Sequence, residues 1–483
     1  MGRLHYTITL LLCFSITYGQ KQTDPIIIAN SESEISEQKT TGDLTLQSNK
    51  LVEAEIPATI QEIDGDLSIQ YSPELASLLD FKYIQKISGD LRIFGNPKLY
   101  DLSGLDNLQY IGGDLIIKDN AGLTRLAGLD HVEIGGSIII EGNPSLESLD
   151  YLNIPKEVGG HLRIINNASL NNIQSLASLK AVDGDLLIAH NAQLIDFPGC
   201  GVLHTISGDF RIAFNRRLKE IGAMPTLSFI GGSFVLENNK VLIQTGVTPE
   251  LQSIGGELLF RDLPELTSLG SLEKLERVNG SLRFIRAATL QQAPTFGSSW
   301  SVSGDLIFED NDELVNLYGL TGLQAINGQL IVKENKRLST LIGLDHIDPT
   351  SITSLELAEN PALDYCHVEA VCGYLGEEGD KQKIELNNTA CSTESTILSF
   401  CGSNSSTGES LLTVYPNPVQ NALQIDVDEA VHIRIYNSLG QLVLDRENYT
   451  GELIDVSLLS SGDFIVEMHN KDSVLNRIQF VKQ

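Results

Sequence analysis

Positive charge is scarce: 33 Lys and Arg stand against 63 Asp and Glu, a formal −30 over 483 residues. A surface that acidic repels phosphate backbones and anionic bilayers, which disfavours nucleic-acid and bulk lipid binding. Beyond the N-terminal segment no stretch approaches the ~18 consecutive apolar residues of a membrane-spanning helix. Also lacking are a G-x-S-x-G elbow, an H-E-x-x-H helix, a phosphate-binding glycine loop and an EF-hand loop, so the common signatures of hydrolase, metalloprotease, nucleotide and calcium chemistry are missing. Proline is ordinary at 15, whereas 42 glycines point to many tight turns, and 42% hydrophobic residues are ample for a packed interior. The length exceeds what one core normally organises unless a repeat elongates the fold.

The first 19 residues carry Arg3, an apolar stretch from Ile8 to Ile16 and then Thr17-Tyr18-Gly19. This pattern predicts a secretory signal peptide cleaved before Gln20. A lipoprotein reading through Cys13 is weaker, because Leu10-Leu11-Leu12 puts no small residue just before the cysteine. Export implies an oxidising compartment, where the clustered Cys366, Cys372, Cys391 and Cys401 read as two disulfides with three pairings open. Zinc is the alternative, but intervals of 6, 19 and 10 residues contain no C-x-x-C knuckle. Cys200 occupies a place usually filled by Leu and reads as a buried, inert thiol rather than a nucleophile.

Self-similarity dominates the remainder. Glycines recur at 42, 65, 89, 113, 136, 160, 184, 208, 232, 256, 280, 304 and 328, with Thr353 in the fourteenth place; ten of the thirteen intervals are 24 residues. Counting from each glycine, apolar residues recur at +2, +4, +10, +13, +16, +19 and +22. The +2/+4 pair has strand period, and later steps of three suit a polygonal coil rather than a helix. Each unit is therefore one coil of a solenoid stacked at about 4.8 Å, roughly 65 Å for fourteen coils. Position +7 is Asn in eleven of fourteen units and +10 is Leu in thirteen. A turn asparagine can bond its own backbone and that of the neighbouring coil. The glycine is expected to supply either a positive φ or a close approach at the corner. The units at Gly256 and Gly280 lack the Asn, and the latter holds the sole Trp, Trp300, marking either a distortion or a seam between subdomains.

The string Leu-x-Ile-x-x-Asn-x-x-Leu-x-x-Leu-x-x-Leu resembles the receptor L domain, a right-handed β-helix related to leucine-rich repeats, over about residues 40–365. Residues 20–41 read as an N-terminal cap with Pro25-Ile26-Ile27-Ile28 as covering strand, 42–361 as the solenoid, 362–401 as a disulfide-stapled cap and 402–410 as a flexible linker. From 411 to 483 short alternating runs indicate a small β-sandwich. Tyr415-Pro416-Asn417-Pro418, the turn at Ser438-Leu439-Gly440-Gln441, Gly462-Asp463-Phe464 and a last strand ending at Lys482 resemble the C-terminal sorting domain of the type IX secretion system of Bacteroidota. The resemblance implies handling by that machinery, passage across the outer membrane, removal of the tail and release or surface anchoring. An ordinary binding sandwich is the alternative.

Two columns of the solenoid are candidate functional features. Position +1 is Asp in seven coils (Asp43, Asp66, Asp90, Asp114, Asp185, Asp209 and Asp305), so carboxylates line up at strand spacing, where repulsion in water approaches ~1 kcal/mol per pair. Corner N–H groups could offset this, and that reading is favoured over a shared calcium ion, the one cofactor the pattern suggests. Position +3, outward on the same strands, forms a strip of Arg92, Ile116, Ile139, Arg163, Leu187, Arg211, Val235, Leu259 and Arg283, continued by Ile307 and Ile331. It reads either as strand propensity or as a contact surface whose arginines engage carboxylates of an extracellular protein or acidic glycan. The nine histidines are scattered and read as surface residues. The expected function is a non-enzymatic, secreted or surface-anchored binding or adhesion protein. The alternatives are a carbohydrate-active β-helix using the Asp residues, and a structural spacer.

Overall fold

The computed structural model describes residues 26–29, 39–47, 60–376, 381–401, 414–415, 419, 422–425, 430–437, 441–469 and 474–482. The signal segment, Cys13, the linker 402–410, Pro416-Asn417-Pro418 and Gly440 lie outside them. The chain is nearly all β. Fourteen short strands, from Leu44–Gln47 to Ser354–Ala358, stack in parallel into one long sheet, one strand per coil. Their register is uninterrupted: Leu162 faces Leu186, which faces Phe210, which faces Phe234. Within each strand +2 and +4 point into the coil, as at Leu91 and Ile93 or Leu115 and Ile117, all fully buried. The remaining apolar steps close the coil, so Leu99, Leu102, Leu105, Leu108 and Ile111 are also shut from solvent. Each buried Leu contributes about 1.5–3 kcal/mol of transfer free energy, offset by the ordering of its coil.

One apolar cluster runs from Leu44 to Ile397, and the long sheet crosses Gly256 and Gly280 without a break. The stretch around Trp300 is therefore a local distortion, not a seam. Trp300 stacks on Phe296 at 4.3 Å, and the corner ladder shifts register beside it. Inside the strands of this stretch, Phe260, Phe284 and Phe308 stack at successive 5.0 Å centroid spacings, while Leu263 and Ala287 fill the asparagine places.

At the front, Ile26–Ala29 pairs antiparallel to Leu44–Gln47 and covers the first edge. At the back, the solenoid continues past residue 361. After the helix Glu369–Gly376, Gln382–Glu385 adds a further parallel strand to Ser354–Ala358, so the cap contains a fifteenth coil. The disulfides are Cys366–Cys391 and Cys372–Cys401, the latter tying the helix Glu369–Gly376 to the helix Glu394–Cys401. The tail is a separate antiparallel unit with its own core.

Candidate functional site

Corner chemistry comes first, because it fixes the outer face. Every described asparagine at +7 is fully buried and bonds to neighbouring coils. Asn191 Oδ1 accepts the Asn167 N–H at 3.1 Å, while its Nδ2 donates to the Ile164 carbonyl at 2.9 Å. The ladder runs from Asn96 to Asn239, resumes at Asn311 and ends on Asn387 of the fifteenth coil. At the interruption, Leu263 N–H donates instead to the Arg286 carbonyl at 3.1 Å.

The +1 column forms a second spine. Asp66 Oδ1 accepts the Asp90 N–H at 2.8 Å, Asp90 Oδ1 the Asp114 N–H at 2.7 Å, and Asp114 Oδ1 the Ser137 N–H at 2.6 Å. Where Asp is replaced, Ser137 Oγ and then His161 Nδ1 take over as acceptor, so His161, a surface residue, also belongs to the spine. These bonds supply what offsets the carboxylate column, through one oxygen of each Asp. Among the described residues no group of three or more His, Cys, Asp or Glu is arranged to hold a metal ion.

This spine explains the repeat glycine. Between Gly65 and Gly328 these glycines have no positive φ; a Cβ at Gly113 would fall on Asp90 Oδ1, and one at Gly65 would lie 2.6 Å from the Gly42 carbonyl carbon. Close approach is the reason for the residue. The left-handed corner sits instead at +6, where Tyr71, Asp119, Asn166, His190, Phe214 and Arg286 all have φ between 47° and 58°. Sequence reading missed this position, since no single residue type marks it. The signal it did carry was a class of residues that tolerate this conformation, Gly95, Asp119, Gly142, Asn166, His190, Asn238, Asp262 and Asp310, at the fixed place before the asparagine.

The +3 strip exists as an in-register row: Arg92 beside Ile116, then Ile139, Arg163, Leu187, Arg211, Val235, Leu259 and Arg283. Its character differs from expectation in two respects. Val235 and Leu259 are buried at 4% exposure, flanked in register by Arg211 and Arg283, so the middle of the strip is not an open apolar surface. The arginines are already engaged. Arg92 pairs with Asp66 and Asp90, Arg163 with Asp185 at 2.6 Å, Arg211 with the buried Glu237, and Arg283 with Glu257 and Asp305. Burial works against ionisation of Asp185, but the Asp209 N–H, Arg163 and His161 together hold its carboxyl below the usual range. These guanidiniums frame the face rather than reach out from it.

What stays accessible is aliphatic. Ile116 and Ile139 lie side by side, half-buried, between Asp114 and Ser137 on one flank and the Lys118–Glu141 ion pair (2.7 Å) on the other. Ile307 and Ile331 repeat the motif beside the Lys333–Glu309 pair at 3.5 Å. Cys200 is fully buried, its Sγ 3.4 Å from the Leu176 carbonyl, and burial pushes the thiol up to about 12, leaving no thiolate for nucleophilic work.

In the tail, Tyr415 lies in a strand paired with Ala422–Ile425, Gly462 opens the strand Gly462–His469 with φ 145°, and Phe464 stacks on Phe480 at 5.4 Å. Lys482 closes the last strand opposite Gly462 and bridges to Val419. Asn437 N–H donates to the Gln441 carbonyl at 3.0 Å where the strands Val431–Asn437 and Leu442–Tyr449 pair, and residues 438–440 of the expected turn lie outside the described residues. Tyr449 Oη locks this unit by accepting the Ile425 N–H and donating to the Ile425 carbonyl.

Among the described residues no helix is long and apolar enough to cross a membrane. No curated protein sequence matches the chain. Residues 61–156 match the receptor L domain family, in agreement with the coils described above. Residues 413–482 match the secretion system C-terminal sorting domain, which marks the chain for type IX export and a secreted or cell-surface location.

Proposed function

We propose that the chain is a non-enzymatic binding or adhesion protein whose long sheet presents a recognition face for an extracellular protein or glycan. The observation that carries this reading is the outer row itself: paired isoleucines at Ile116–Ile139 and Ile307–Ile331, each rimmed by ion pairs, on a chain bearing an export tail. An apolar centre within a charged rim is the usual anatomy of a protein contact. Ion pairing holds the arginines in fixed geometry, so they shape the face and exclude poorly matched partners more than they add affinity. After transit the tail is removed, and the solenoid is released or anchored at the surface.

The enzymatic alternative requires two carboxylates converging on one bond. The Asp column instead runs along the rod, each residue spending an oxygen on the next coil's backbone. The test uses the exported chain with Ile116→Glu and Ile139→Glu together. Adhesion to immobilised extracellular proteins and glycans is expected to fall at least tenfold with an unchanged circular-dichroism spectrum. Undiminished adhesion overturns the assignment of this face, and release of shortened polysaccharide favours the enzyme.

A further inference from the structure

The corner strands that precede the repeat glycines form a second ladder, and this ladder is broken once. Five strands, ending at Glu133–Ile134, make one sheet; eight more, beginning at Glu157–Val158, make another. On either side the bonding is regular: Gly112 N–H donates to Ile87, Gly135 to Ile111, Asp183 to Val158 and Ser207 to Val182. Among the described residues the corresponding bond from Gly159 to Ile134 is absent.

The sequence supplies the cause. The coil from Gly113 to Gly136 is one residue short of 24, so inward-facing Val132 falls four places before the next glycine, where Gln85, Gln109, Lys156 and Lys180 sit in other coils. In the following coil Pro155, which has no N–H, takes the place of Leu108 and Leu179. The two coils part at this corner and leave an open groove of about 490 Å³, lined by Glu133, Asn153, Lys156 and Ser178 over a floor of Ile154 and Pro155.

Two exposed tyrosines stand near it, outside the lining itself. Tyr110 is the direct register neighbour of Glu133, and Tyr151 lies two residues before Asn153. Among the described residues, the tyrosines exposed as large apolar surface are Tyr71, Tyr83, Tyr100, Tyr110 and Tyr151, all within the second to fifth coils. The groove therefore combines interspersed donors and acceptors of both charges, an apolar floor and unpaired main-chain edges, with Tyr110 one strand and Tyr151 two residues from its lining.

We propose that this groove binds a neutral oligosaccharide. Sugar hydroxyls need donors and acceptors in alternation, which Glu133, Asn153, Lys156 and Ser178 supply, while the apolar faces of pyranose rings stack on tyrosine. A polyanionic glycan fits less well, because Glu133 and Glu157 flank the break on a chain of net charge −30. An extended peptide fits less well too: the long-sheet strands of these same two coils stay paired from Ile138 to Ile165, so the coils cannot separate enough to admit a strand. The groove is distinct from the long-sheet face, and its occupancy does not depend on the reading given to Ile116 and Ile139.

The test is calorimetric titration of the full chain with tetrasaccharides of β-1,4-glucan, chitin and β-1,4-mannan, and with an unstructured peptide as competitor. Saturable binding of one tetrasaccharide is expected, weakened at least tenfold by Tyr151→Ala and by Lys156→Ala and unaffected by Ile116→Glu/Ile139→Glu. Both groove substitutions are on exposed side chains, and an unchanged melting temperature separates lost binding from lost fold. The proposal is overturned if none of the sugars binds, if binding survives both groove substitutions, or if the peptide displaces the sugar.

Discussion

Asn191 shows how much one side chain does in a stacked coil. Its amide completes two backbone groups belonging to the preceding coil, the Asn167 N–H and the Ile164 carbonyl, and all three lie out of reach of water. A single neutral hydrogen bond is worth only ~1 kcal/mol net, but a buried group left unmade costs about 1–3 kcal/mol. Asn191→Ala strands two such groups at once, so a loss of roughly 2–5 kcal/mol is expected, read as a lower denaturation midpoint at constant m-value. A loss below ~0.5 kcal/mol would mean that the backbone rearranges, as it does around Leu263, and that the ladder is redundant. The sequence announced this role because asparagine recurs at one place. Sequence reading overlooked the pairing of Arg92, Arg163, Arg211 and Arg283 with carboxylates of their own and adjacent coils. Arg163 finds Asp185 one coil later and Arg211 finds Glu237 one coil later, whereas Arg92 reaches Asp66 one coil earlier. Arg163–Asp185 and Arg283–Asp305 share one offset and Arg92–Asp66 and Arg283–Glu257 share another, all onto the +1 column, so these pairs were legible in the two columns; Arg211, whose partner Glu237 stands at +5, is the pair that the periodicity did not reveal.

At the scale of the element, the strand at +2 to +5 was legible because its burial alternates with period two and its hydrophobic set repeats every 24 residues. The corner at +6 was overlooked because Tyr71, Phe214 and Arg286, which adopt a left-handed conformation that the closed coil imposes, interrupt the Gly, Asn and Asp that mark the place elsewhere. The fifteenth coil was hidden for a different reason. The helix Glu369–Gly376 interrupts the 24-residue spacing, and Gln382–Glu385 turns out mostly polar where earlier strands are apolar inside. That terminal strand holds its place through Asn387, which donates to the Leu357 carbonyl at 2.7 Å, and through the two disulfides around it. Cys372–Cys401 closes a loop across 29 residues of sequence, for which the chain-entropy account gives about 3–4 kcal/mol. Cys372→Ser with Cys401→Ser is therefore expected to accelerate amide exchange in Gln382–Glu385 and Ser354–Ala358 while leaving strands such as Leu162–Ile165 protected. Equal exchange in both variants would show that the apolar contacts of Ile397 and Val371 suffice alone, and uniform exchange everywhere would show that the coils unfold as one body.

For the solenoid as a whole, each coil buries its residues chiefly against the two beside it, so stability should be a sum of coil and interface terms. This makes coils removable units. Deleting residues 185–208 joins Gly184 to Asp209, and each residue lost has an equivalent 24 places on: Asp209 replaces Asp185 in the spine, Asn215 replaces Asn191 in the ladder and Leu218 replaces Leu194 in the core. The new interface sets Leu162 beside Phe210 in the same register that Leu186 holds now, and it also removes Cys200, whose place normally belongs to Leu. The shortened chain should keep its β-sheet spectrum and cooperative transition, and small-angle scattering should find the solenoid shorter by about one strand spacing, ~4.8 Å. Deleting only residues 185–196 is the contrasting case. It joins Gly184 to Phe197, which puts Pro198 and Gly199 where a strand must begin and Leu203 where the ladder needs Asn191, so the strand loses main-chain pairing and the coil cannot close. That variant is expected to aggregate or to lose the strands on both sides of the cut. If both deletions behaved alike, whether tolerated or destructive, stacking of equivalent coils would not be what holds this molecule together, and the register shared by the spine, the ladder and the outer row at +3 would lose its physical basis.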